Sequence, residues 1–325
     1  MAIKSYKGFD KNLRCRGFQY KIGGIYEMDG KIKMRNRGFH ACESPFDVFD
    51  YYTMIDSRFC EVEQDGNISK WDRGTKICSS KIKIKAELKL ADMINLGVEW
   101  LKEITSPEKI KTSIKDNSSG NYAKIGSSGD EAQIGSSGYG AKIGSSGYRA
   151  KIGSSGDEAQ IGSSGYGAKI GSSGYGAKIG SSGNDAKIGS SGYDAKIGSS
   201  GNDAKIGSSG NDAQIGSSGN NAQIGSSGDG AKIGSSSDGA KISSSGYGAK
   251  IDSTGEDCVI MCAGINSVAK ASKGSWVTLS EWSYSEEKQR YIPICVKTEF
   301  VDGEKIKADT YYSLKGGVFV EWIND

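Results

Sequence analysis

The chain has 325 residues, of which 25% are charged and 36% hydrophobic, and its net charge is +3. This composition is typical of a folded protein of two or three domains, and the small net charge excludes a strongly basic, nucleic-acid-coating chain. Glycine is the outlier, because 48 glycines stand beside only 3 prolines with no Gly-X-Y triplet, which excludes collagen.

Residues 1–85 predict an N-terminal α+β domain. Asp29-Gly30 is typical of a hairpin turn, and Ser44-Pro45 is a good helix start before "FDVFDYY". His40 is the only histidine in the chain, and we expect it to be a packed residue, because no nucleophile or base partner stands near it. The sequence indicates no catalytic residue here.

Residues 86–113 predict a capping helix and a linker. Between residues 86 and 104, Leu90, Ile94, Val98 and Leu101 recur close to helical spacing. We expect this amphipathic helix to lie across the first coil of the repeats that follow it and to cover the open sheet edge there.

Residues 114–275 predict a β-solenoid, or β-roll. From Ala123 to Asp257 the nonapeptide A-[KQ]-I-G-S-S-G-x-x runs through fifteen copies without insertion or deletion. We expect A-[KQ]-I to be the strand and the glycines at the fourth and seventh positions to be the bends. Two repeats would form one coil of about 18 residues, placing Ile125 beside Ile143. A three-sided coil of 27 residues, placing Ile125 beside Ile152, is the alternative.

Residues 276–325 predict a C-terminal β cap. The sequence alternates strand-like segments with turn signals at Asp302-Gly303 and Gly316-Gly317, which indicates a small antiparallel unit.

The outward positions of the repeats are the candidate binding residues. The second position faces away from the core and is Lys in eleven copies and Gln in four, while tyrosines recur at the eighth position. The residues we select are Tyr139, Tyr148, Tyr166, Tyr175, Tyr193, Lys142, Lys151, Lys169, Lys178, Lys187, Lys196 and Lys205. A simpler interpretation is that the lysines only keep a flat sheet soluble and that tyrosine merely suits a corner.

Charge and spacing argue against sharper hypotheses for the repeats. Eleven lysines and Arg149 face thirteen acids between residues 123 and 257, so nucleic-acid binding is open but less favoured than a protein partner. Most of the acids occur at either the eighth or the ninth position, whereas calcium-binding nonapeptide rolls keep their Asp ligand at one fixed position, so calcium binding is disfavoured. Ice binding is disfavoured as well, because the outward strand residue is Lys or Gln and not Thr or Ser. Self-association through the tyrosines is a further alternative.

The seven cysteines are scattered, form no CxxC pair and have one histidine as a potential helper. We therefore expect reduced thiols in a cytoplasmic protein, with no metal and no cofactor. Cys258 and Cys262 replace small repeat residues and are predicted to fill the core. No segment reaches the roughly 18 apolar residues that span a membrane.

The segments "YKGFDKNLRCRGFQYKIGGIYE" and "GFHACESPFDVFDYY", the Gly/Ser array and the ending "KIKADTYYSLKGGVFVEW" resemble an uncharacterised family of phage and prophage proteins. Its members join a small N-terminal head to nonapeptide repeats, some of them described as ice-nucleation-like, and a short C-terminal unit. The resemblance covers nearly the whole chain. It implies a location in the host-cell cytoplasm, or in the virion, and brings no catalytic residue with it.

The leading functional hypothesis is a non-enzymatic phage interaction protein whose rigid solenoid binds a host component, such as part of a defence system. One alternative is a nucleotide-binding or ADP-ribosyltransferase-like enzyme in the N-terminal domain, since "GFHACESPFDVFDYY" is also similar to that class. We find no convincing catalytic glutamate at the later strand where that class would place one. A structural protein of the virion or fibre is the other alternative.

Overall fold

The computed structural model describes residues 2–71, 74–106 and 117–323. The chain is mainly β and divides into two compact units, Met1–Trp100 and Leu101–Asp325. Residues 107–116, which include the predicted linker and the start of the predicted solenoid segment, lie outside the described residues.

The N-terminal unit, which we call the head, is built on antiparallel strands. These are β1 (Ile3–Phe9), β2 (Arg14–Cys15), β3 (Phe18–Gln19), β4 (Ile25–Glu27), β5 (Phe39–Cys42), β6 (Arg58–Lys70) and β7 (Lys76–Leu88). The main sheet has the order β4-β7-β5-β1-β6, and β6 also pairs with β7. Strands β5, β1, β6 and β7 thus form a closed ring around Phe9, Val62, Ile82 and Ile84.

Two local predictions for the head need correction. The segment after Ser44-Pro45 forms only one 3₁₀ turn, Phe46–Asp50, in which Phe46, Val48 and Phe49 are buried. Asp29-Gly30 does not join two paired strands, because β4 pairs with the distant β7 instead. In both places packing against the ring decides the local structure, which a short sequence window does not contain.

Helix α1 (Leu90–Ile104) is the predicted amphipathic helix, shortened at its start because residues 86–88 continue strand β7. The Asp92 carboxylate accepts the backbone N–H of Lys89, which caps the first turn. At the other end, a Cβ on Gly126 would collide with the carbonyl oxygen of Thr105. The residue after α1 therefore packs against the outward side of strand β9 in the first coil, which does not test whether the helix covers the sheet edge.

The second unit is the solenoid, and its repeat strands are four residues long. They are β8 (Asn117–Ser118), β9 (Lys124–Ser127), β10 (Gln133–Ser136), β11 (Lys142–Ser145), β12 (Lys151–Ser154), β13 (Gln160–Ser163), β14 (Lys169–Ser172), β15 (Lys178–Ser181), β16 (Lys187–Ser190), β17 (Lys196–Ser199), β18 (Lys205–Ser208), β19 (Gln214–Ser217), β20 (Gln223–Ser226), β21 (Lys232–Ser235), β22 (Lys241–Ser244), β23 (Lys250–Ser253), β24 (Val259–Cys262) and β25 (Val268–Lys270).

Successive repeats alternate between two parallel sheets, and the register confirms the two-repeat coil. Ile143 pairs with Ile125, and Ile152 pairs with Ile134 in the other sheet. The structure has about 9 coils of about 18 residues, and the three-sided alternative is wrong. We call the sheet that contains the even-numbered strands from β8 to β24 the first sheet, and the one with the odd-numbered strands from β9 to β25 the second sheet.

The bend predicted at the fourth-position glycine is wrong, whereas the bend predicted at the seventh-position glycine is confirmed. The fourth-position glycine is part of the strand, whereas the ninth position takes a left-handed backbone, as at Arg149, Asp185 and Gly167. This explains why Gly, Asp and Asn dominate the ninth position, since they adopt that conformation at low cost. The seventh-position glycine permits close stacking: a Cβ on Gly192 would meet the carbonyl oxygen of Gly174 in the preceding coil.

The solenoid core consists of inward-facing isoleucines and alanines, and the first Ser of the pair, such as Ser163, also lies buried beside it. Cys258 and Cys262 are buried in this core, as predicted. The buried serine hydroxyls do not all find a hydrogen-bond partner among the described residues. Ser136 and Ser190 accept the backbone N–H of the seventh-position glycine, while the Ser172 hydroxyl has no partner among the described residues.

Antiparallel hairpins close the C-terminal end of both sheets. In the first sheet β26 (Trp276–Ser285) pairs with β24 and then with β27 (Arg290–Phe300). In the second sheet β28 (Tyr312–Lys315) pairs with β25 and then with β29 (Val318–Glu321) through the predicted turn at Gly316-Gly317. In the described part of the chain, the only α-helix is too short and too polar to cross a membrane.

Candidate functional site

The lysine rows predicted from the repeats exist, but the two sheets present them differently. Strand alternation sends the second repeat position outward on both sheets, opposite the buried Ile. On the first sheet, Lys151, Lys169, Lys187 and Lys205 are all exposed and lie next to one another in register. Because adjacent strands lie about 4.8 Å apart, the backbone positions of neighbouring lysines are also about 4.8 Å apart.

A row of bare glycine backbone runs beside these four lysines. A Cβ built on Gly153, Gly171, Gly189 or Gly207 would have no heavy atom within 4 Å. These glycines therefore leave a shallow trough along the outward side of the first sheet. Depressions of about 620 and 800 Å³ follow one another along its lysine side, and one of about 720 Å³ lies on its serine side. We call the trough together with Lys151, Lys169, Lys187 and Lys205 the open face.

The prediction that the second position faces solvent in every repeat is wrong for the second sheet beyond Lys124. Lys178 and Lys196 retain only 6% and 8% of their accessible surface, and Lys142 is half-buried. The Lys196 amine lies 3.5 Å from the Asp194 carboxylate. The strand pleat determines the direction of these side chains, but the packing on that side of the sheet determines their exposure. Lys142, Lys178 and Lys196 are therefore not a free binding row.

The predicted tyrosines are exposed but do not form one stripe. Tyr139, Tyr175 and Tyr193 follow strands of the first sheet, whereas Tyr148 and Tyr166 follow strands of the second, so they occupy two opposite edges. On each edge neighbours stack as pairs: Tyr175 with Tyr193 at 5.6 Å between ring centroids, and Tyr148 with Tyr166 at 5.8 Å. A single partner-binding stripe through all five is wrong, because alternate repeats face opposite ways.

The tyrosine hydroxyls also have a structural role that the sequence analysis missed. The hydroxyls of Tyr139, Tyr166 and Tyr193 hydrogen-bond to Glu158, Asp185 and Asp212, respectively. Each acid stands nineteen positions after its tyrosine and so lies at the ninth position of the next coil. The hydrogen bond to Glu158 raises the pKa of Tyr139 to about 12, with burial as the next cause.

Acidic and amide residues at the eighth position join the coils as well. The Asp157 carboxylate accepts the backbone N–H of Tyr175, and the Asn184 side-chain oxygen accepts that of Asn202, each eighteen residues on. The eighth position thus alternates between stacked rings and side chains that satisfy the next backbone donor. Repeat-to-repeat stacking, rather than calcium ligation, explains where these acids occur.

The head contains a second candidate site, a cavity of about 1220 Å³ within the described residues. Six cations line it, and none of them forms an ion pair with a carboxylate in the described part of the chain. They are Lys7, Arg14, Arg16, Arg35, Arg37 and Lys76. The acids of the wall are engaged elsewhere: Glu27 pairs with Lys81, Asp56 with Lys11, and Asp10 accepts backbone N–H groups.

His40 lies in the wall of this cavity as a neutral imidazole. Its Nε2 accepts the backbone N–H of Arg35 at 3.0 Å. Burial first, and then the charges of Lys76 and Lys7, lower the pKa of His40 to about 4. The lowered pKa shows that the surroundings of His40 oppose a positive charge. The imidazole packs and accepts a hydrogen bond, as expected for a structural residue.

Lys7 connects the cavity wall to a buried polar cluster. Its amine donates to the His40 carbonyl oxygen at 3.0 Å and lies 3.5 Å from the Cys15 thiol, which is 3.1 Å from the Tyr52 hydroxyl. Burial lowers the pKa of Lys7 and raises the pKa of Tyr52. The sequence analysis missed this cluster, because its members come from β1, β2 and the loop after the 3₁₀ turn and show no common spacing.

Among the residues that the structure describes, no three His, Cys, Asp or Glu side chains come together in a way that could hold a metal ion. The cavity and the open face therefore remain the two arrangements with ligand-binding chemistry, one in each unit.

Comparison with known proteins gives one match. No curated protein and no solved structure matches the chain. Residues 3–96 are similar to the family described as a domain of unknown function, DUF7666. This segment includes every residue named in the wall of the head cavity.

Proposed function

We propose that this chain is a non-enzymatic binding protein and that the open face is its contact surface. The observation that carries the proposal is the juxtaposition, over four consecutive strands, of exposed lysines with glycines whose backbone is bare. Exposed lysines alone would keep the sheet soluble. Solubility therefore does not explain why glycines stand beside the lysines. The trough gives an extended ligand direct access to the backbone, and the lysines supply the charge.

The partner that fits this surface is an extended acidic segment of another protein, lying along the solenoid axis. Flexible lysine stems adapt to carboxylates at strand spacing, and opposite charges along the row favour binding at low salt. A long polyphosphate backbone fits less well than a short acidic segment, because acids flank the open face and repel any anionic group that extends beyond the lysine row, a carboxylate included. Asp157, Asp212 and Asp229 stand on one edge of the solenoid and Asp130, Asp203 and Asp238 on the other. These carboxylates repel phosphates that extend beyond the lysine row.

The host-virus setting belongs to the same proposal and is supported by the sequence resemblance to phage and prophage proteins. In that setting the partner would be a host protein with an exposed acidic segment, and the binding would take place in the cytoplasm of the host cell.

The test is a pair of matched variants of the full chain. Lys151, Lys169, Lys187 and Lys205 are all changed to Gln, the residue that already stands at this repeat position at Gln133 and Gln223. The control changes Lys142, Lys178, Lys196 and Lys232 to Gln on the second sheet. Both variants lose four charges at equivalent positions. Fluorescence anisotropy with a labelled oligoglutamate peptide, and with a single-stranded oligonucleotide of equal charge, measures binding.

We expect the peptide to bind the unmodified chain more tightly than the oligonucleotide does. The first variant should lose at least tenfold in affinity for the peptide, and the control should lose less than threefold. Equal losses in the two variants would show that only total charge matters, which contradicts the open face. Tighter binding of the oligonucleotide would replace the protein partner by a nucleic acid.

A further inference from the structure

The head cavity combines two features that a single class of ligand would use together. Within the described residues its cations form no ion pair with a carboxylate, and its wall carries aromatic rings. The inference concerns the head alone and is independent of the open face of the solenoid.

Aromatic rings, instead of acids, hold two of the cavity cations in place. The Lys76 amine lies 3.9 Å from the centroid of the Tyr51 ring, and the Arg35 guanidinium lies 4.1 Å from that of Trp71. A cation–π contact fixes the position of a cation but leaves its charge in place, unlike a carboxylate. The positive charge of the cavity is therefore available to an incoming anion.

Lys7, Arg16 and Lys76 line the same cavity as His40. The charges of Lys76, Lys7 and Arg16 all oppose protonation of His40, after burial as the main cause. Like charges held this closely destabilise one another, and an anion with two or more negative charges would relieve that repulsion. This grouping around His40 is a phosphate-binding arrangement, because Arg and Lys side chains can both donate to phosphate oxygens.

The aromatic part of the wall is a cluster of edge-to-face rings. Phe18 contacts Tyr20 at 4.8 Å and Tyr26 at 5.4 Å between centroids, while one half of the Phe18 surface remains exposed. An exposed ring that its neighbours hold in position is suited to stacking against a planar heterocycle. The volume of about 1220 Å³ exceeds the roughly 300–1,000 Å³ of ordinary small-ligand pockets, so a nucleotide fits with room to spare.

We propose that the head binds a nucleotide, with its phosphates at Arg16 and Lys76 near His40 and its base against Phe18. The ligand is defined by its chemistry: an aromatic heterocycle joined to at least two phosphate charges. A site for inorganic anions alone would not need the exposed ring of Phe18. A site for apolar molecules alone would not need the cations.

The test is isothermal titration of the full chain with ATP, adenosine and inorganic pyrophosphate. The charge variant carries Arg16→Gln and Lys76→Gln, and its control carries Lys83→Gln and Lys85→Gln, which remove two charges from the same unit outside the cavity. A third variant, Phe18→Ala, removes the exposed ring. Lys7 is left unchanged because it is buried. A melting curve of each variant establishes that it is folded.

We expect ATP to bind with a Kd in the micromolar range, more tightly than either adenosine or pyrophosphate. The charge variant should weaken ATP binding at least tenfold, Phe18→Ala at least threefold, and the control less than twofold. Absence of ATP binding, or a charge variant no weaker than its control, would overturn the proposal. Pyrophosphate binding as tightly as ATP, with no effect of Phe18→Ala, would overturn the nucleotide and leave a site for inorganic anions.

Discussion

Ile143 lies beside Ile125 in the second sheet, eighteen residues apart and in register in a parallel strand pair. This relationship repeats along the solenoid, as Ile179 beside Ile161 and Ile197 beside Ile179. Each isoleucine therefore supports both neighbouring coils, and a defect in one coil removes packing from two others.

Ile179→Asp should unfold the central coils. Ile179 is 2% exposed, and the aspartate would lose its packing and also place a charge in a core one side chain thick. We expect a loss of at least about 4 kcal/mol in the free energy of unfolding. Urea denaturation measures it, with Lys187→Asp on the open face as the control. A change below about 1 kcal/mol in Ile179→Asp would contradict the described core.

Gly192→Val and Gly189→Val should differ sharply, although both lie in the repeat of strand β16. A side chain at Gly192 collides with the carbonyl of Gly174, whereas one at Gly189 meets nothing within 4 Å. Ser237 stands at the position equivalent to Gly192 in one repeat, so a small side chain is accommodated there, but a branched one should cost about 3 kcal/mol. Thermal melting compares them.

Gly189→Val also tests whether the trough of the open face contributes to peptide binding. The variant should keep its melting temperature but fill the trough beside Lys187, which would weaken binding of the acidic peptide. Unchanged peptide affinity in a folded Gly189→Val protein would argue that the lysines act without the trough.

His40 should remain neutral down to about pH 4, because burial first and then the charges of Lys76 and Lys7 lower its pKa. The folded pKa is below the unfolded value of about 6.5, so the unfolded chain binds the proton first and stability falls as pH drops from about 6.5 to 4. The single imidazole can be followed by NMR. His40→Ala should remove this part of the acid sensitivity and leave binding of the acidic peptide intact. An observed pKa above 6 would contradict the environment described for His40.

Tyr139 should titrate later than an ordinary tyrosine, because its hydrogen bond to Glu158 raises its pKa to about 12. The folded state then keeps the phenol proton between about pH 10 and 12 when the unfolded chain releases it, so this contribution to stability is lost as pH rises through that range. Glu158→Gln should bring the pKa of Tyr139 back toward 10. Carbon NMR of labelled tyrosine rings measures the pKa of Tyr139 in both proteins.

The sequence by itself determined the solenoid, because an uninterrupted period of nine with Ala and Ile in constant phase leaves little freedom in register. It also indicated the helix that begins at Leu90 and the hairpin turn at Gly316-Gly317, since both depend on local patterns. The bend predicted at the fourth position was wrong, because a glycine can stand at a bend or at a bare strand position, and the residue type alone does not distinguish the two.

Tertiary structure decided which predicted binding residues are accessible. Strand alternation fixes only that Lys178 and Lys187 both point away from the core, whereas packing buries the first and leaves the second exposed. In the head, Lys7, Arg16 and Lys76 belong to different segments that only the closed ring of strands brings around His40. Their sequence separations carry no periodic signal, so charge and aromatic rings converge on one cavity through long-range pairing alone.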